Sequence, residues 1–483
     1  MLIEFSTGNF LSFKDIITFN MQAANIKEHP VLEDNVISLN YKIEKKTLET
    51  LEDKIDIDKL KDLSYRFFTK ETLIDELNNL KFTEKDINII LEHSKLSGKK
   101  ELRLLKTCVL YGANASGKSN LLKAMGFMSY FVHESVKETG ICEKLEGDHF
   151  RLSNETYDKP PYFQIIFLLN GIIYRYGFEA DSKKINSEWL FYTPKTKEIA
   201  LFKRENGKIN IGSNFREGKG CIDKTRDNAL FLSVVHQFNG KYSTKIYKWF
   251  KECFSVISGL NTEIFGPVTE HLLTHKKRKR QILDFLRMAD LDIVDLEVKE
   301  EKVTDKALIK FLSEKVENFK EDGLTTTRLY SLHKKYDNSG EITSYEKFNF
   351  TRESRGTQKF FEISWPVLIT LLEGNTLVID ELDSRLHPIL SKKIIDLFNN
   401  HKNRNAQLIF ACHDTCLLKK EYFRRDQIWF TEKDEYEATD LYSLIEYKGV
   451  RNDASYDKEY IQGKYGAIPY VGNFDYFYED IND

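Results

Sequence analysis

Residues 107–119 read TCVLYGANASGKS, an apolar run followed by a loop that two glycines bracket. Gly112 and Gly117 let the backbone amides of such a loop point inward at a bound phosphate, which side chains at these positions would obstruct. The apolar run predicts a buried strand, and residues 120–125 predict the start of a helix whose positive N-terminus faces the same phosphate. The sequence therefore predicts an α/β fold of the P-loop class.

The loop also assigns individual roles. Lys118 is expected to reach the β- and γ-phosphates of a nucleotide, and the Ser119 hydroxyl is expected to bind Mg²⁺. The other predicted nucleotide contacts are Gly112, Ala113, Asn114, Ala115, Ser116, Gly117 and Asn120. ATP and Mg²⁺ are therefore the expected cofactors.

A second strand, in TLVIDELD at 376–383, ends in two acidic residues. Asp380 is expected to hold Mg²⁺ through water, and Glu381 is the candidate general base that orients and polarises the attacking water. Alone, such a strand could equally end in two solvated acids. Together with a phosphate-binding loop it predicts ATP hydrolysis.

Two further segments contain candidate nucleotide-binding residues. Residues 353–358 read ESRGTQ, and His413 follows the apolar run 408–411. Taken alone, the first is an ordinary helix N-terminus and the second a partly buried histidine at a strand end. Cys412 and Cys416 beside His413 would supply only three metal ligands, so core packing explains the buried thiol better.

The order of these motifs resembles the ABC-type ATPase heads of SMC-like and OLD-like proteins. Lys118 and Asp380 are 262 residues apart (380 − 118), which leaves room for a large insertion. The resemblance implies an ABC-type P-loop ATPase head with an antiparallel side sheet, a helical insertion and a short helical arm. It departs from membrane-transporter ATPases, whose signature has a double glycine where only Gly356 stands here.

The resemblance also implies roles for residues outside the loop. Ser354, Gly356 and Thr357 would complete the nucleotide site of a second subunit, which implies a head-to-tail dimer or a higher homo-oligomer. His413 would sense the γ-phosphate beside Lys118 and Glu381. Gln237 is the candidate for the glutamine loop that contacts the metal, because Gln164 lies in the middle of a predicted strand.

Both ends of the chain extend the resemblance. MLIEFSTGNFLSFKD at 1–15 is similar to the first strand and turn of SMC-like heads. RRDQIWFTEKD at 424–434 and GKYGAIPYVGNFD at 463–475 resemble ATPases of bacterial defence loci, namely RloA/AbiL-type ATPases and the ATPase subunit of the PARIS antiphage system. The resemblance implies an ATP-driven sensor or scaffold in abortive infection that controls a separate effector protein, a nuclease. It also implies a phage-encoded trigger and no nuclease site in this chain.

Two alternatives stay open: a DNA-repair or DNA-binding clamp of the SMC or OLD kind, and a scaffold that binds ATP without hydrolysing it. The net charge of −3 predicts no general affinity for nucleic acid, although Lys276–Arg280 form five consecutive cations. These either contact nucleic acid phosphates or an acidic partner, or form a solvated helix end. The 70 residues after His413 contain no Asp-x-Asp pair, so we expect any nuclease site on another chain.

The predicted organisation has five parts. They are N-terminal strands of the head (1–40), a helical insertion (41–100), a P-loop lobe with hairpins at Asn170-Gly171 and Asn206-Gly207 (101–235), a helical arm (236–325) and a lobe with a hairpin at Asp337–Gly340, the signature and the acidic strand (326–483).

The six cysteines show no pairing pattern, and no apolar run approaches the about 18 residues of a membrane span. We therefore expect a cytoplasmic protein that has no membrane partner.

Overall fold

The structure is a computed structural model, and it describes residues 1–26, 30–52, 54–96, 98, 101–138, 140–259, 266–289, 291–302, 325–450 and 454–469. The chain divides into two units. The first contains Met1–Ile257, Thr370–Leu382 and Ile395–Asp483, and the second contains Ser258–Ile369 and Asp383–Ile394. No helix among the described residues combines the length and apolarity that a bilayer span requires.

The described strands are β1 (Leu2–Gly8), β2 (Ile17–Asn20), β3 (Val36–Leu39), β4 (Leu102–Leu105), β5 (Thr107–Gly112), β6 (Tyr162–Leu169), β7 (Ile172–Ala180), β8 (Ile185–Thr193), β9 (Ile199–Glu205), β10 (Lys208–Ile211), β11 (Phe254–Ser258), β12 (Asp295–Lys302), β13 (Thr325–Tyr336), β14 (Ile342–Asn349), β15 (Thr376–Asp380), β16 (Gln407–Ala411), β17 (Ile428–Lys433) and β18 (Thr439–Ser443). The described α-helices are α1 (Lys45–Leu51), α2 (Lys70–Asn79), α3 (Glu84–Ser94), α4 (Lys118–Glu134), α5 (Phe231–Gln237), α6 (Lys241–Lys248), α7 (Gly266–Leu272), α8 (Lys276–Arg287), α9 (Arg355–Glu373), α10 (Pro388–Asn399) and α11 (Tyr456–Ile461).

A six-stranded sheet in the order β11-β15-β16-β5-β17-β18 forms the centre of the first unit. β5 lies between β16 and β17 and is parallel to both, and β15 is parallel to β16. All residues of β5 and β16 are buried, as expected for parallel strands that are covered on both faces. Parallel strands end at one edge, so the segments that follow β5, β15 and β16 meet there.

A second, antiparallel sheet in the order β10-β9-β8-β7-β6-β1-β2 completes the same unit. Helix α4 contributes Leu121, Met125 and Phe131 to a core that also contains residues of both sheets. The predicted hairpin at Asn170-Gly171 is confirmed between β6 and β7, where both residues have positive φ. The predicted hairpin between β9 and β10 is confirmed as well.

The predicted helical insertion contains α1, α2 and α3, which share a small core of their own. Thr83 and Asp86 form a capping box at the start of α3. Helix α1 ends at Leu51.

The second unit contains the antiparallel sheet β12-β13-β14, α7, α8 and the first part of α9. The rings of Phe285 and Phe360 stack 4.6 Å apart in its core. The predicted hairpin through Asp337–Gly340 is confirmed between β13 and β14.

The predicted helical arm (236–325) is interrupted by two strands. β11 and β12 are strands, because β11 joins the edge of the six-stranded sheet and β12 pairs with β13 over its whole length. Sheet pairing therefore outweighs the local periodicity there. Residues 303–324 lie outside the described part of the chain.

Candidate functional site

The carboxyl edge of the six-stranded sheet brings together three of the predicted segments. β5 runs into the glycine loop at Gly112, β15 ends at Asp380, and β16 is followed by His413. The backbone N–H of Leu382 donates to the carbonyl of Ala411 at 3.2 Å, which ties the segment after β15 to the end of β16.

Close packing explains both glycines of the loop. A Cβ on Gly112 would lie 2.5 Å from the carbonyl oxygen of Thr431. A Cβ on Gly117 would lie 2.5 Å from Thr439 Oγ1, and this glycine has a φ of +117° at the start of α4. Side chains at either position would therefore push the loop away from β17 and β18.

Lys118 is buried in the loop that it is expected to serve. Its Nζ donates hydrogen bonds to the carbonyl oxygens of Gly112 at 2.8 Å and Ala113 at 3.0 Å. These contacts curl the loop around the ammonium group, with Asn114 and Ala115 exposed at its tip. This places a fixed positive charge inside a ring of backbone groups, the arrangement that binds phosphate in P-loops.

The segment after β1 supports the loop from the outside. Thr439 Oγ1 donates to the carbonyl oxygen of Ser116 at 2.9 Å and accepts from Ser12 Oγ at 2.7 Å. Asn120 Nδ2 donates to Ser12 Oγ, at 2.8 Å. The turn of the opening sequence motif is therefore part of the framework that holds the loop in shape.

Asp380 and Glu381 stand at the end of β15. Asp380 Oδ1 is buried and accepts no hydrogen bond from any described residue. A hard cation such as Mg²⁺ takes oxygen ligands, so this orphaned oxygen and the half-buried Ser119 fit the proposed metal role. Glu381 has a φ of +54°, a conformation that is uncommon for a residue with a side chain and that is often found at functional sites.

His413 is exposed and lines a cavity of about 380 Å³ together with Gly112, Ala113 and Asn114. Cys412, next to it, is fully buried in the core. The cavity therefore joins the predicted γ-phosphate sensor to the phosphate-binding loop.

Sequence reasoning missed the other wall of this cavity. Tyr460, Ile461, Ile468 and Pro469 line it from the C-terminal segment. The Tyr460 ring lies 5.8 Å from the ring of Tyr111, and burial raises the pKa of its phenol to about 12. Ile468 and Pro469 lie in the segment 463–475 that resembles defence ATPases, whereas no motif marks Tyr460 or Ile461.

The predicted signature lies in the second unit, at the start of α9. Ser354 Oγ accepts a hydrogen bond from the backbone N–H of Thr357 at 3.0 Å, so Ser354 caps the helix. A Cβ on Gly356 would lie 3.0 Å from the carbonyl oxygen of Arg385. The role of Ser354, Gly356 and Thr357 in a second subunit's site stays a prediction.

Gln237 lies on α5, and its role as a metal ligand stays a prediction. Ser233 Oγ donates to the carbonyl of Val132 at 2.6 Å, near the C-terminal end of α4. Lys118 is at the other end of that helix, about 21 Å away at 1.5 Å per residue. Gln237 is exposed at the end of α5.

The run Lys276–Arg280 forms the first turns of α8, and three of its five cations have intramolecular partners. Arg278 stacks on the Trp365 ring at 5.0 Å. Lys279 pairs with Asp295 at 2.7 Å, and Arg280 pairs with Asp284 at 3.8 Å. Lys276 and Lys277 are exposed. Carboxylates therefore face two of the five cations, and a third is held against an aromatic ring.

Comparison with known proteins identifies a matching family. The family model AAA_21, described as "AAA domain, putative AbiEii toxin, Type IV TA system", matches residues 108–419. No curated protein is similar enough in sequence to count as a match.

Three solved structures are similar at low identity. The SMC head domain from Thermotoga maritima is 10% identical, with a TM-score of 0.37, over 92% of this chain and 98% of that chain. The SmcHead bound to the C-winged helix domain of ScpA is 13% identical, with a TM-score of 0.32, over 72% and 93%. The Smc head domain with an extended coiled coil, bound to the C-terminal domain of ScpA derived from Pyrococcus furiosus, is 10% identical, with a TM-score of 0.32, over 76% and 96%. This likeness is distant, and the fold assignment rests on the strand order and the matching family.

Proposed function

The chain belongs to the AAA_21 family of AAA domains, and from this premise we propose that it is an ATP-hydrolysing sensor or scaffold in prokaryotic antiviral defence. Its nucleotide-driven assembly controls a separate toxic effector, such as a Toprim-like nuclease. The observation that carries the ATPase assignment is the meeting of the Lys118 loop, Asp380 with its orphaned Oδ1, and His413 at one sheet edge. The defence role is supported by the family description and by the resemblance of the C-terminal segments to defence ATPases.

Each residue of the site has a separate task in the proposed reaction. Lys118 binds the β- and γ-phosphates, and Ser119 and Asp380 hold Mg²⁺, which when bound supplies positive charge that neutralises the phosphates. Glu381 orients the attacking water and accepts its proton. His413 contacts the γ-phosphate from the opposite side of the loop.

Two chains complete each site in this proposal. The exposed Ser354 at the positive N-terminus of α9 contacts the γ-phosphate held by Lys118 of the second chain. Because the same surface of each chain meets the other, the minimal assembly is a symmetric pair with two nucleotides between the subunits. ATP therefore favours the closed pair, and hydrolysis releases it.

Hydrolysis by purified protein tests the enzymatic part of this proposal. We expect Lys118→Ala to lose ATP binding, and Glu381→Gln to keep binding but to lower turnover by about 10²- to 10⁴-fold. Glu421→Gln is the matched control, because Glu421 is an exposed glutamate away from the carboxyl edge. Unchanged phosphate release by Glu381→Gln would instead support a scaffold that binds ATP without using this residue.

The effector part requires a separate experiment. Glu381→Gln should trap the closed, ATP-loaded pair, so we would purify it with ATP from its native host and identify the chains that accompany it. A stoichiometric nuclease-like protein that dissociates when ATP is replaced by ADP is the expected result. Recovery of DNA without a protein partner would contradict the effector proposal and favour a DNA-binding clamp.

A further inference from the structure

The first unit contains a second cavity, of about 650 Å³, which we name the Lys106 cavity. It lies beside Lys106, the residue that precedes β5, and the His401–Arg404 loop between α10 and β16. The insertion supplies another part of its wall, including Tyr41 and Thr69. We propose that the Lys106 cavity binds a small phosphorylated molecule that also carries hydroxyl or amino groups.

Lys106 is the main reason for this assignment. Its side chain is only 3% exposed, and its Nζ donates one hydrogen bond, to the carbonyl oxygen of Asn400 at 2.9 Å. Asp34 attracts the charge through space, but no carboxylate of the described residues forms a direct ion pair with Lys106. Burying a charge without a direct partner is costly, and an anion in the adjoining cavity would supply one.

A purely structural role explains part of this contact. Asn400 follows α10, and a cation at a helix C-terminus offsets a partial charge of about −0.5 from the helix dipole. The Asn400 carbonyl satisfies one of the three N–H donors of the ammonium group, so a ligand in the cavity could accept from the others.

The rim of the cavity adds positive charge that is suited to phosphate. Lys70 and Lys402 are exposed there on opposite sides, one from the insertion and one from the loop after α10. Of the acidic residues in the lining, Glu33 is already paired with Arg424 at 2.9 Å. Three lysines therefore line the same cavity, and ammonium groups are suited to binding phosphate.

Two other carboxylates of the lining, Asp34 and Glu71, define the rest of the ligand. They would repel a bare polyanion but accept hydrogen bonds from hydroxyl or amino groups. The volume lies within the range of about 300–1,000 Å³ that is typical of small-molecule sites. A salt bridge between Arg404 and Asp75 at 3.0 Å joins the two walls, so the insertion and the core form one site.

Calorimetric titration with ribose 5-phosphate tests the proposal in the full chain. The background variant is Lys118→Ala, which removes phosphate binding at the P-loop. We expect binding to this background and at least a tenfold weaker affinity when Lys70→Glu and Lys402→Glu are added, because two charge-assisted contacts are lost. Lys208→Glu, an exposed lysine on β10, is the matched control and should change the affinity less than about twofold.

The Lys106→Met change should abolish binding on the same background, and the rim pair decides the question if Lys106→Met does not fold. Ribose without phosphate should not bind. An affinity that is unchanged by both sets of variants, or no binding to the Lys118→Ala background, would overturn the proposal. A single-stranded oligonucleotide that binds more tightly through the same lysines would also overturn it and indicate a nucleic acid surface.

Discussion

At the scale of single residues, the site depends on backbone conformations that residues with side chains rarely adopt. Ala115 in the phosphate-binding loop has a φ of 61°, and Glu381 has a φ of 54°. The left-handed region costs roughly 1–2 kcal/mol for a residue other than glycine. Such strained conformations persist where the surrounding structure enforces them. Here they place the loop amides and the candidate base at the carboxyl edge of the six-stranded sheet.

Ala115→Gly should relieve part of this strain. We expect the free energy of unfolding to rise by about 0.5–1 kcal/mol while ATP binding is retained, because glycine adopts this φ without a steric penalty. Denaturant unfolding measures the change. Ala124→Gly, inside α4, is the control of opposite sign and should destabilise the protein by about 1 kcal/mol. Equal destabilisation by both changes would contradict the strain argument.

Lys106 should make stability depend on pH. Burial lowers the pKa of its ammonium group from 10.5 to about 8, so between these values the unfolded chain binds more protons than the folded one. The free energy of unfolding therefore rises with pH in this window. Between pH 7.5 and 9.5 we expect wild type to gain about 1–2 kcal/mol relative to Lys106→Met, measured by denaturant unfolding in phosphate-free buffer. Parallel pH profiles of the two proteins would contradict this.

Individual residues also show which parts of the candidate site can be predicted from the sequence alone. Lys118 and Asp380 could be assigned because phosphate and metal chemistry demand fixed residue types beside a strand. The role of Gln237 could not be derived in this way, since the distance of Gln237 from the loop depends on where α5 packs along α4. Tyr460 could not either, because a residue that only lines a cavity needs no particular spacing.

At the scale of elements, a buried carboxylate holds the start of α5. Glu188 Oε2 accepts a hydrogen bond from the backbone N–H of Phe231 at 2.6 Å, and Oε1 accepts one from that of Leu232 at 3.0 Å. Burial raises the pKa of this carboxyl group. A residue of β8 thus supplies the cap that the sequence before α5 lacks.

Glu188→Ala should destabilise the protein by about 2–4 kcal/mol, because two buried N–H donors lose their acceptor and a cavity forms. Glu188→Gln keeps one acceptor oxygen and should be milder. Thermal unfolding compares both with Glu205→Ala, at an exposed strand end, which we expect to stay within about 0.5 kcal/mol of wild type. Equal effects of Glu188→Ala and Glu205→Ala would refute the capping role.

Elements differed in how well sequence predicted them, for a physical reason. The hairpins at Asn170-Gly171 and Asn206-Gly207 are local structures, because the turn residues themselves require positive φ. β11 and β12 depend on partners far away in the chain, so the helical interpretation of their surroundings failed. A turn set by its own residues can be predicted from the sequence, whereas pairing between strands that are separated in the chain cannot.

At the scale of the whole molecule, the proposed shared site predicts complementation between two inactive variants. Ser354→Arg should abolish hydrolysis and leave ATP binding nearly intact. The arginine blocks only the surface that contacts the nucleotide bound by the partner chain. In an equal mixture with Lys118→Ala, half of the pairs are mixed and each keeps one intact site. We expect about a quarter of the wild-type rate in a phosphate-release assay. A mixture as inactive as its components would place Ser354 outside the partner's site.

The position of β5 between β16 and β17 also decides when the chain can first act. These neighbours come about 300 residues later in the sequence. At about 5–20 residues per second, a ribosome takes roughly 15–60 s to add them. An unfinished chain therefore carries the phosphate-binding sequence without a sheet to hold it. A protein that restrains a toxic partner would gain this ability only near the end of its own synthesis, so the order of translation of the two would matter to the cell.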